Sequence, residues 1–362
     1  MMPSEIDITK LKVRASHKHA GTFYSLCTGA TDSRLFAGSS DYSIHVFDPT
    51  AEKLEPIARW QKHDNYVSAL AHFGCDGNEY VVSGSYDRQL VWWDPASGQP
   101  IRSIEAHQGW IRDVTALPDG SRLASVGDDM LVKIWDSKSG ELVRSLEGHA
   151  KVTPQGHVTA LYVVAVSPDG KYLASGDRIG EVRVWETETG KLAQTFQVPI
   201  LYTYDQKQRK RSIGGIRSLA FSPDGKQLAV GGIGQIGNVD GLEGPAHVEL
   251  WDWEKSQLLL AAEAEGHKAL IQQIRFHPAG PWLVGAGGGD DGIIAFWKPD
   301  VLPAPTEAQP AETGKSDSSK PLSPVHRWKS DIHIHRFCFN RTSTELFAAG
   351  HGRLDIWSAN VG

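Results

Sequence analysis

The stretch HQGWIRDVTALPDGSRLASVGDDMLVKIWD, residues 107–136, holds a complete unit that recurs along the chain. It starts at His107, passes through an apolar alternation at Ile111, Val114 and Ala116, and turns at Pro-Asp-Gly, residues 118–120. Two further apolar segments follow, residues 123–125 and 131–135, on either side of a polar turn that contains Asp129. Short alternating segments separated by Gly, Pro and Asp turns are typical of β-hairpins. The stretch therefore predicts an antiparallel β unit that closes on Trp135-Asp136.

Less regular copies of this unit are recognised by their closing aromatic residue and the residue that follows it. The closing pairs are Phe47-Asp48, Trp93-Asp94, Trp135-Asp136, Trp185-Glu186, Trp251-Asp252, Trp297-Lys298 and Trp357-Ser358. Consecutive closing aromatics lie between 42 and 66 positions apart. The shortest spacing agrees with the period of about 40–45 residues expected for a four-stranded propeller blade. The chain is therefore predicted to be an all-β repeat protein.

Further short motifs accompany the closing pairs. Gly-His pairs stand at Gly156-His157 and Gly266-His267, and Ser-Pro-Asp-Gly turns occupy residues 167–170 and 222–225. In these motifs the chain resembles the WD40 repeat family over nearly its whole length. The resemblance implies one domain over residues 1–362, a single seven-bladed WD40-type β-propeller whose closed ring protects the strand edges. We expect the N-terminal residues 6–14 to complete the last blade as its outer strand.

The resemblance also implies a buried network of four side chains in each blade, a His, a Ser or Thr, an Asp and the closing Trp. Such groups can satisfy one another's hydrogen bonds when they are buried. The implied tetrads are His63, Ser83, Asp87 and Trp93 in the second blade, and His107, Ser125, Asp129 and Trp135 in the third.

Other repeats depart from that pattern. The fourth is expected to use His157, Ser175 and Trp185, with Ile179 where the Asp should stand. The departures elsewhere are Ala37 and Phe47 in the first repeat, Ser212 in the fifth, Gly287 in the sixth and Ser330 in the seventh.

Four long segments interrupt the period. Residues 148–155 are expected to be an inserted loop, and residues 199–215 and 233–246 two further insertions. Residues 299–324 are rich in Pro, Ser and Thr and have few large apolar side chains, which predicts a disordered loop within the domain. The alternative is that this loop is a docking segment for a Pro-recognising partner.

The composition limits the classes of partner. The net charge of −6 disfavours nucleic acid and anionic membranes as partners. The three cysteines, Cys27, Cys75 and Cys338, have no Cys-x-x-Cys spacing and are predicted to be reduced thiols. The first ten residues lack a signal-peptide core, and the longest apolar run, residues 160–166, is too short to cross a bilayer. We therefore expect a soluble, cytoplasmic protein that is monomeric on its own.

No sequence motif indicates catalysis. The chain has no His-Glu-x-x-His, Gly-x-Ser-x-Gly or P-loop pattern, so we expect no enzyme activity, no cofactor and no metal. His333 and His335 alternate on one predicted strand and leave a metal-ligand pair as an alternative. The basic run at residues 207–211 is expected to be a solvated loop, with a nucleic-acid or targeting patch as its alternative.

The resemblance implies a protein-interaction scaffold that binds a peptide or protein on one face of the ring. Aromatic and Arg side chains are common interface hot spots, and several Arg residues here favour an acidic or phosphorylated partner. The alternative is a small-ligand-binding or enzymatic propeller with its site at the central channel. The partner-binding candidates are Tyr66, Tyr86, Trp110, Arg112, Arg178, Lys207, Arg209 and Arg217.

Overall fold

The computed structural model describes residues 7–30, 34–205, 212–237, 244–289, 291–299 and 321–359. These ranges are built almost entirely of β-strands, with one 3₁₀ turn at Pro199–Leu201. Within them no helix is long and apolar enough to cross a membrane.

Five four-stranded antiparallel sheets contain most of the strands, and each follows the chain order from inner to outer strand. The first is β5 (Val67–Cys75), β6 (Asn78–Ser85), β7 (Gln89–Trp93) and β8 (Pro100–Glu105). The second is β9 (Ile111–Ala116), β10 (Arg122–Gly127), β11 (Val132–Asp136) and β12 (Leu142–Leu146). The third is β13 (Leu161–Val166), β14 (Tyr172–Asp177), β15 (Glu181–Glu186) and β16 (Leu192–Gln197).

The remaining four-stranded sheets lie in the second half of the chain. One contains β19 (Ser218–Phe221), β20 (Gln227–Ile233), β21 (Pro245–Asp252) and β22 (Gln257–Lys268). The other contains β23 (Leu270–Phe276), β24 (Leu283–Gly288), β25 (Gly292–Trp297) and β26 (His326–Ser330). A two-stranded hairpin, β17 (Tyr202–Tyr204) and β18 (Ser212–Gly214), stands between the third sheet and the fourth.

The sixth large sheet joins the two ends of the chain. Its strand order is β27-β28-β1-β2-β3-β4. The members are β1 (Lys12–Thr28), β2 (Leu35–Ser39), β3 (Ser43–Phe47), β4 (Pro56–Gln61), β27 (Ile334–Phe339) and β28 (Glu345–Ser358). The prediction of seven separate blades is thus wrong, because the structure has six. The first and last repeats share one hydrogen-bonded sheet, since the long strands β1 and β28 each pair with a neighbour from both repeats.

Strand β1 connects the N-terminus to the last repeat. Lys12 pairs with Ser358 and Lys18 with Arg353, whereas Phe23 to Thr28 pair with β2. The strand begins at Lys12 rather than at residue 6, which lies outside the described residues. Before it, Ile8 and Leu11 are buried, and Trp328 Nε1 donates a hydrogen bond to the Ile8 carbonyl oxygen at 2.8 Å. The expected pairing of the N-terminal segment with the last repeat is therefore present, several residues further along the chain.

The inner strands contact one another in cyclic order and close a ring. That order is β1, β5, β9, β13, β19, β23 and β27, and the six-stranded sheet contributes two of them. Apolar clusters fill the space between adjacent sheets, and all seven closing aromatics are buried. Burying each such side chain stabilises the fold by about 1.5–3 kcal/mol. The packing between sheets therefore accounts for the spacing of the closing aromatics in the sequence.

The tetrads of the second and third repeats are assembled as hydrogen-bonded chains. His63 Nδ1 lies 2.8 Å from Asp87, and its Nε2 lies 2.7 Å from Ser83 Oγ, which accepts the Trp93 indole N–H at 2.8 Å. In the third repeat, His107 lies 2.9 Å from Asp129 and 2.7 Å from Ser125 Oγ, which accepts from Trp135 at 2.8 Å. Burial opposes the charge on Asp129, but the hydrogen bond from His107 lowers the pKa of that carboxyl group overall.

The fourth repeat corrects the choice of His157. His149 Nδ1 lies 2.9 Å from Asp177, and its Nε2 lies 2.8 Å from Ser175 Oγ, which also accepts from Trp185. His157 is exposed. The tetrad also has its acid, because Asp177 stands two positions after Ser175 instead of four. The insertion therefore follows the tetrad His and does not precede it.

The other repeats replace the tetrad. In the fifth, His247 lies 3.2 Å from Glu249 and 2.9 Å from Glu263, and the Trp251 indole donates to Glu249 at 2.8 Å. In the sixth and seventh, the indole N–H groups of Trp297 and Trp357 have no hydrogen-bond partner among the residues that the structure describes. In the first, His19 contacts Ser39 at 2.7 Å, while Asp41 binds His45 at 2.9 Å.

The three cysteines, all within the described residues, form no disulfide bond. Most of the Pro-, Ser- and Thr-rich segment lies outside the described residues, as do residues 206–211 and 238–243 of the two middle insertions. The described end of the former segment contacts the ring, because Leu322 forms a bridge with Ala262 of β22.

Deleting residues 1–18 is expected to lower the melting temperature sharply, because β28 then loses its partner and presents an open edge. Calorimetry of the deletion and of a control lacking only residues 1–6 measures the effect. The control should melt like the full chain. Equal melting temperatures for both deletions would contradict closure of the ring by β1.

Asp129→Ala is expected to reduce the free energy of unfolding by roughly 1–3 kcal/mol, because the buried His107 loses its acceptor. Asp136 accepts instead from the backbone N–H groups of Lys138 and Ser139 in an exposed turn. Asp136→Ala should therefore cost less, as measured by urea unfolding. Equal losses in the two variants would count against a stabilising tetrad in the third repeat.

Candidate partner-binding face

One face of the ring carries the segments that lead into the inner strands. In a four-stranded meander the start of the first strand and the turn between the second and third strands lie at the same edge. We call this edge of all the sheets the upper face, and the opposite edge, with the turns after the inner strands, the lower face. The predicted partner-binding residues that the structure describes belong to the upper face.

The upper end of the central channel, which we call the channel mouth, is lined by one residue from each inner strand or from the position directly before it, together with Tyr86 and Arg336. The seven residues of the inner strands are Tyr24, Ser68, Arg112, Tyr162, Arg217, Gln272 and His335. The cavity between them has a volume of only about 90 Å³. Pockets for small molecules are generally about 300–1,000 Å³, so the mouth suits an extended chain lying across it better than an enclosed metabolite.

Five neighbouring aromatic side chains, some stacked and some tilted, form one side of the mouth, and we call them the aromatic row: Tyr24, Tyr42, Tyr66, Tyr86 and Trp110. The ring centroids of Tyr24 and Tyr66 are 5.4 Å apart, and those of Tyr66 and Tyr86 are 5.7 Å apart. Tyr86 and Trp110 stack nearly parallel at 4.4 Å, and Tyr42 continues the row 6.0 Å from Tyr66. Trp110 is 46% exposed, so the row offers a solvent-facing apolar surface.

Three arginines surround Tyr162 on the other side of the mouth, and we call Arg112, Arg178 and Arg217 the arginine cluster. The Arg217 guanidinium lies 4.1 Å from the centre of the Tyr162 ring. Arg178 Nε donates to the Tyr162 hydroxyl at 2.7 Å. The three cations are therefore held close together around one aromatic ring.

Asp128 is the acid that pairs with this cluster. It accepts two hydrogen bonds from Arg112, at 2.7 and 2.8 Å. No carboxylate of the described residues forms an ion pair with Arg178 or Arg217. The cluster therefore carries an excess of positive charge.

Arg217 is the least satisfied member of the cluster. Its Nε atom is buried without a hydrogen-bond partner. Burial lowers the pKa of its guanidinium, and Arg112 and Arg178 repel its charge in the same direction. An anion at this position would therefore supply both a counter-charge and hydrogen-bond acceptors.

The inserted segments build a wall beside the arginine cluster. The Tyr202 hydroxyl donates to Gln155, and Thr203 Oγ1 accepts from the Ile236 backbone N–H at 3.2 Å, so the three insertions contact one another. Arg178 is bonded to this wall through the carbonyl oxygen of Val158, whose side chain is 70% exposed. The predicted contributions of Lys207 and Arg209 lie outside the described residues.

A third histidine joins His333 and His335 at the mouth. The ring centroids of His333, His335 and His351 are 4.8 to 5.0 Å apart. Within the described ranges, two groups bring three ligand atoms close enough for a metal ion, His19 with Asp41 and His45, and His149 with Asp177 and Glu181. His333, His335 and His351 are not one of these groups. Their geometry therefore does not support the alternative that His333 and His335 bind a metal ion.

Several residues of this face were missed at the sequence level. Tyr24 and Tyr162 each stand five positions after a histidine, His19 and His157, as Arg112 does after His107. That spacing could have identified both. Asp128 stands directly before the tetrad Asp129, as Tyr86 does before Asp87, so this position could have identified it as well. His351 carries no comparable signal, since its place follows from contacts between different strands.

The pKa of His333 is lowered to about 4, mainly by burial and secondly by repulsion from His351. In the unfolded chain a histidine titrates near 6.5. As the pH falls through this interval, the unfolded state takes up a proton that the folded state does not, so stability is lost. His333→Gln should therefore flatten the fall in melting temperature between about pH 6.5 and pH 4. The exposed His157→Gln is the control, and equal slopes in the two variants would contradict this assignment.

Comparison with known proteins agrees with this geometry. The chain matches the WD40 family, described as "WD domain, G-beta repeat", over residues 54–94, 98–136, 140–186, 207–235 and 260–298. It is 37% identical over 106 residues to the nuclear distribution protein PAC1 of Arthroderma otae, which covers 28% of this chain and 23% of the relative. It is 29% identical over 114 residues to the human Denticleless protein homolog, covering 31% of this chain and 16% of the relative. Each match thus spans about a quarter or less of these relatives. The family match covers more than half of the chain, and the protein belongs to the WD40 repeat family.

Proposed function

We propose that the protein is a non-catalytic interaction scaffold whose upper face binds a protein or peptide segment with an acidic or phosphorylated residue. The observation that carries this proposal is the arginine cluster, in which Arg178 and Arg217 have no carboxylate partner among the described residues. The cluster lies directly beside the exposed aromatic row.

The aromatic row and the arginine cluster lie side by side, so two neighbouring residues of one bound segment would contact one each. A phosphate or carboxylate group would occupy the space near Arg178 and Arg217, where guanidinium groups form strong charge-assisted hydrogen bonds. An adjacent apolar or aromatic residue would pack on Trp110 and Tyr86. Stacked aromatics and Arg are the side chains that most often dominate binding energy at interfaces.

The wall formed by the insertions extends this surface. Val152 and Val158 are both exposed on it, next to Arg178. Exposed apolar side chains beside a charged cluster give a partner an apolar contact and a polar anchor at once. We propose that Lys207 and Arg209 also contribute to binding the anionic segment.

The family and the relatives support a scaffold over an enzyme. The matched relatives are named for nuclear distribution and as Denticleless homologs, and we propose a comparable interaction role for this chain. We further propose that it acts as a monomer in the cytoplasm, where its three cysteines stay reduced.

A panel of synthetic peptides, matched in sets with Ser, phosphoserine or Glu at one position beside an aromatic residue, tests the proposal. Fluorescence anisotropy should show preference for the anionic members. Arg217→Glu and Trp110→Ala should each weaken binding at least about tenfold, equivalent to about 1.4 kcal/mol, with little change in melting temperature.

The matched controls lie away from the mouth. Lys171→Glu reverses an exposed charge in a lower-face turn, and Ile101→Ala removes an exposed apolar side chain from an outer strand. Both should bind like the unaltered protein. No preference for anionic peptides, or equal losses in Arg217→Glu and Lys171→Glu, would refute the proposal.

A further inference from the structure

We propose that the lower half of the central channel is a separate binding site for a small phosphate-bearing anion, held by Arg275 and Arg336. The site does not depend on the upper face, and it takes a free ligand rather than a protein segment. Its walls come from the lower halves of the inner strands.

An ion pair divides the channel into two compartments. Arg336 on β27 reaches Asp113 on β9 at 3.4 Å. These strands stand on opposite sides of the ring, with β13, β19 and β23 between them in one direction and β1 and β5 in the other. Arg336 also donates to the Gln272 carbonyl oxygen at 3.3 Å. Arg336 therefore crosses the channel beneath the mouth and contacts both compartments.

Below this pair lies a chamber of about 550 Å³, which we call the lower chamber. Its volume is within the range of about 300–1,000 Å³ that is usual for small-molecule sites. Arg275, Thr115 and Gln273 supply polar side chains, and apolar residues such as Val164 and Leu219 complete the wall. The chamber is thus several times larger than the cavity at the mouth and admits a whole small molecule.

The lower chamber has more positive charge than its acid can balance. Arg275 has no ion-pair partner among the described residues. Asp113 Oδ1 lies 3.4 Å from Arg336 Nη2, which is a long distance for an ion pair. The other Asp113 oxygen accepts the Val164 backbone N–H at 3.2 Å. Two guanidinium groups therefore share one carboxylate that is already engaged elsewhere.

The electrostatic environment favours an added anion. The Arg275 side chain is exposed toward the chamber, yet desolvation by the surrounding protein, with repulsion from Arg336, lowers the pKa of its guanidinium. Burial also raises the pKa of Asp113, which weakens this carboxylate as a counter-ion. A ligand with two negative charges would stabilise the charge on Arg275 and would favour the neutral form of Asp113, so the ligand would replace this carboxylate as the counter-ion.

The side chains favour phosphate among anions. Phosphate monoesters carry about −1.5 to −2 charge at pH 7 and three acceptor oxygens, and Arg binds them in a bidentate manner. Phe221, Phe276 and Phe339 also line the chamber, but the two guanidinium groups recognise the phosphate itself. The geometry points to inorganic pyrophosphate or another small phosphate-bearing anion.

Isothermal titration of the full chain with pyrophosphate, and separately with O-phospho-L-serine, tests the site. Pyrophosphate should bind at millimolar or lower concentrations and raise the melting temperature. Arg275→Gln should weaken binding at least tenfold while leaving the melting temperature of the unliganded protein equal or higher. Arg59→Gln, at an exposed position on outer strand β4, is the matched control and should bind as before.

Arg217→Gln separates this proposal from the function proposed for the upper face. It should leave pyrophosphate binding unchanged, and Arg275→Gln should leave anionic peptide binding unchanged. Absence of binding by both ligands, or a loss of binding in Arg217→Gln that Arg275→Gln does not share, would each overturn the proposal.

Discussion

The pairing of β1 with β28 is the constraint on which the rest of the structure depends. One 17-residue strand pairs with the C-terminal strand through its first half and with β2 through its second half. Because this single strand belongs to the first and the last repeat, the inner strands close into a ring and no sheet edge is left open at the junction. The position of every side chain around the central channel follows from that closure.

Closure gives each inner strand an equivalent place in the wall of the channel. A sequence change at one position of an inner strand therefore alters the channel at one level without disturbing the packing between the sheets. At the upper level the first three repeats place mainly aromatic side chains, and the next two place Arg178 and Arg217 around Tyr162. At the middle level Arg336 and Asp113 span the ring. The same ring of inner strands therefore forms two chemically different compartments, the channel mouth and the lower chamber.

The repeat pattern, the all-β class and the tetrads of the second and third repeats could be predicted from the sequence, because each rests on local spacing and a buried Trp. The number of sheets could not, since it depends on whether β1 continues unbroken from the last repeat into the first. The choice of His157 is wrong because it places the insertion, residues 148–155, before the tetrad His, whereas the chain inserts residues after His149. On the upper face, Arg112, Arg178 and Arg217 are predicted one by one from the sequence, but their grouping around Tyr162 depends on contacts between three repeats.

Hydrogen exchange of the full chain, with and without an anionic peptide bound, tests the central claim most directly, namely that the ring presents the arginine cluster and the aromatic row as one binding surface. The account predicts slower exchange in residues 108–113, 176–180 and 215–218, and unchanged exchange in the outer strands β8, β12 and β16. Slower exchange in the outer strands or at the lower-face turns, with residues 108–113 and 215–218 unaffected, would contradict it.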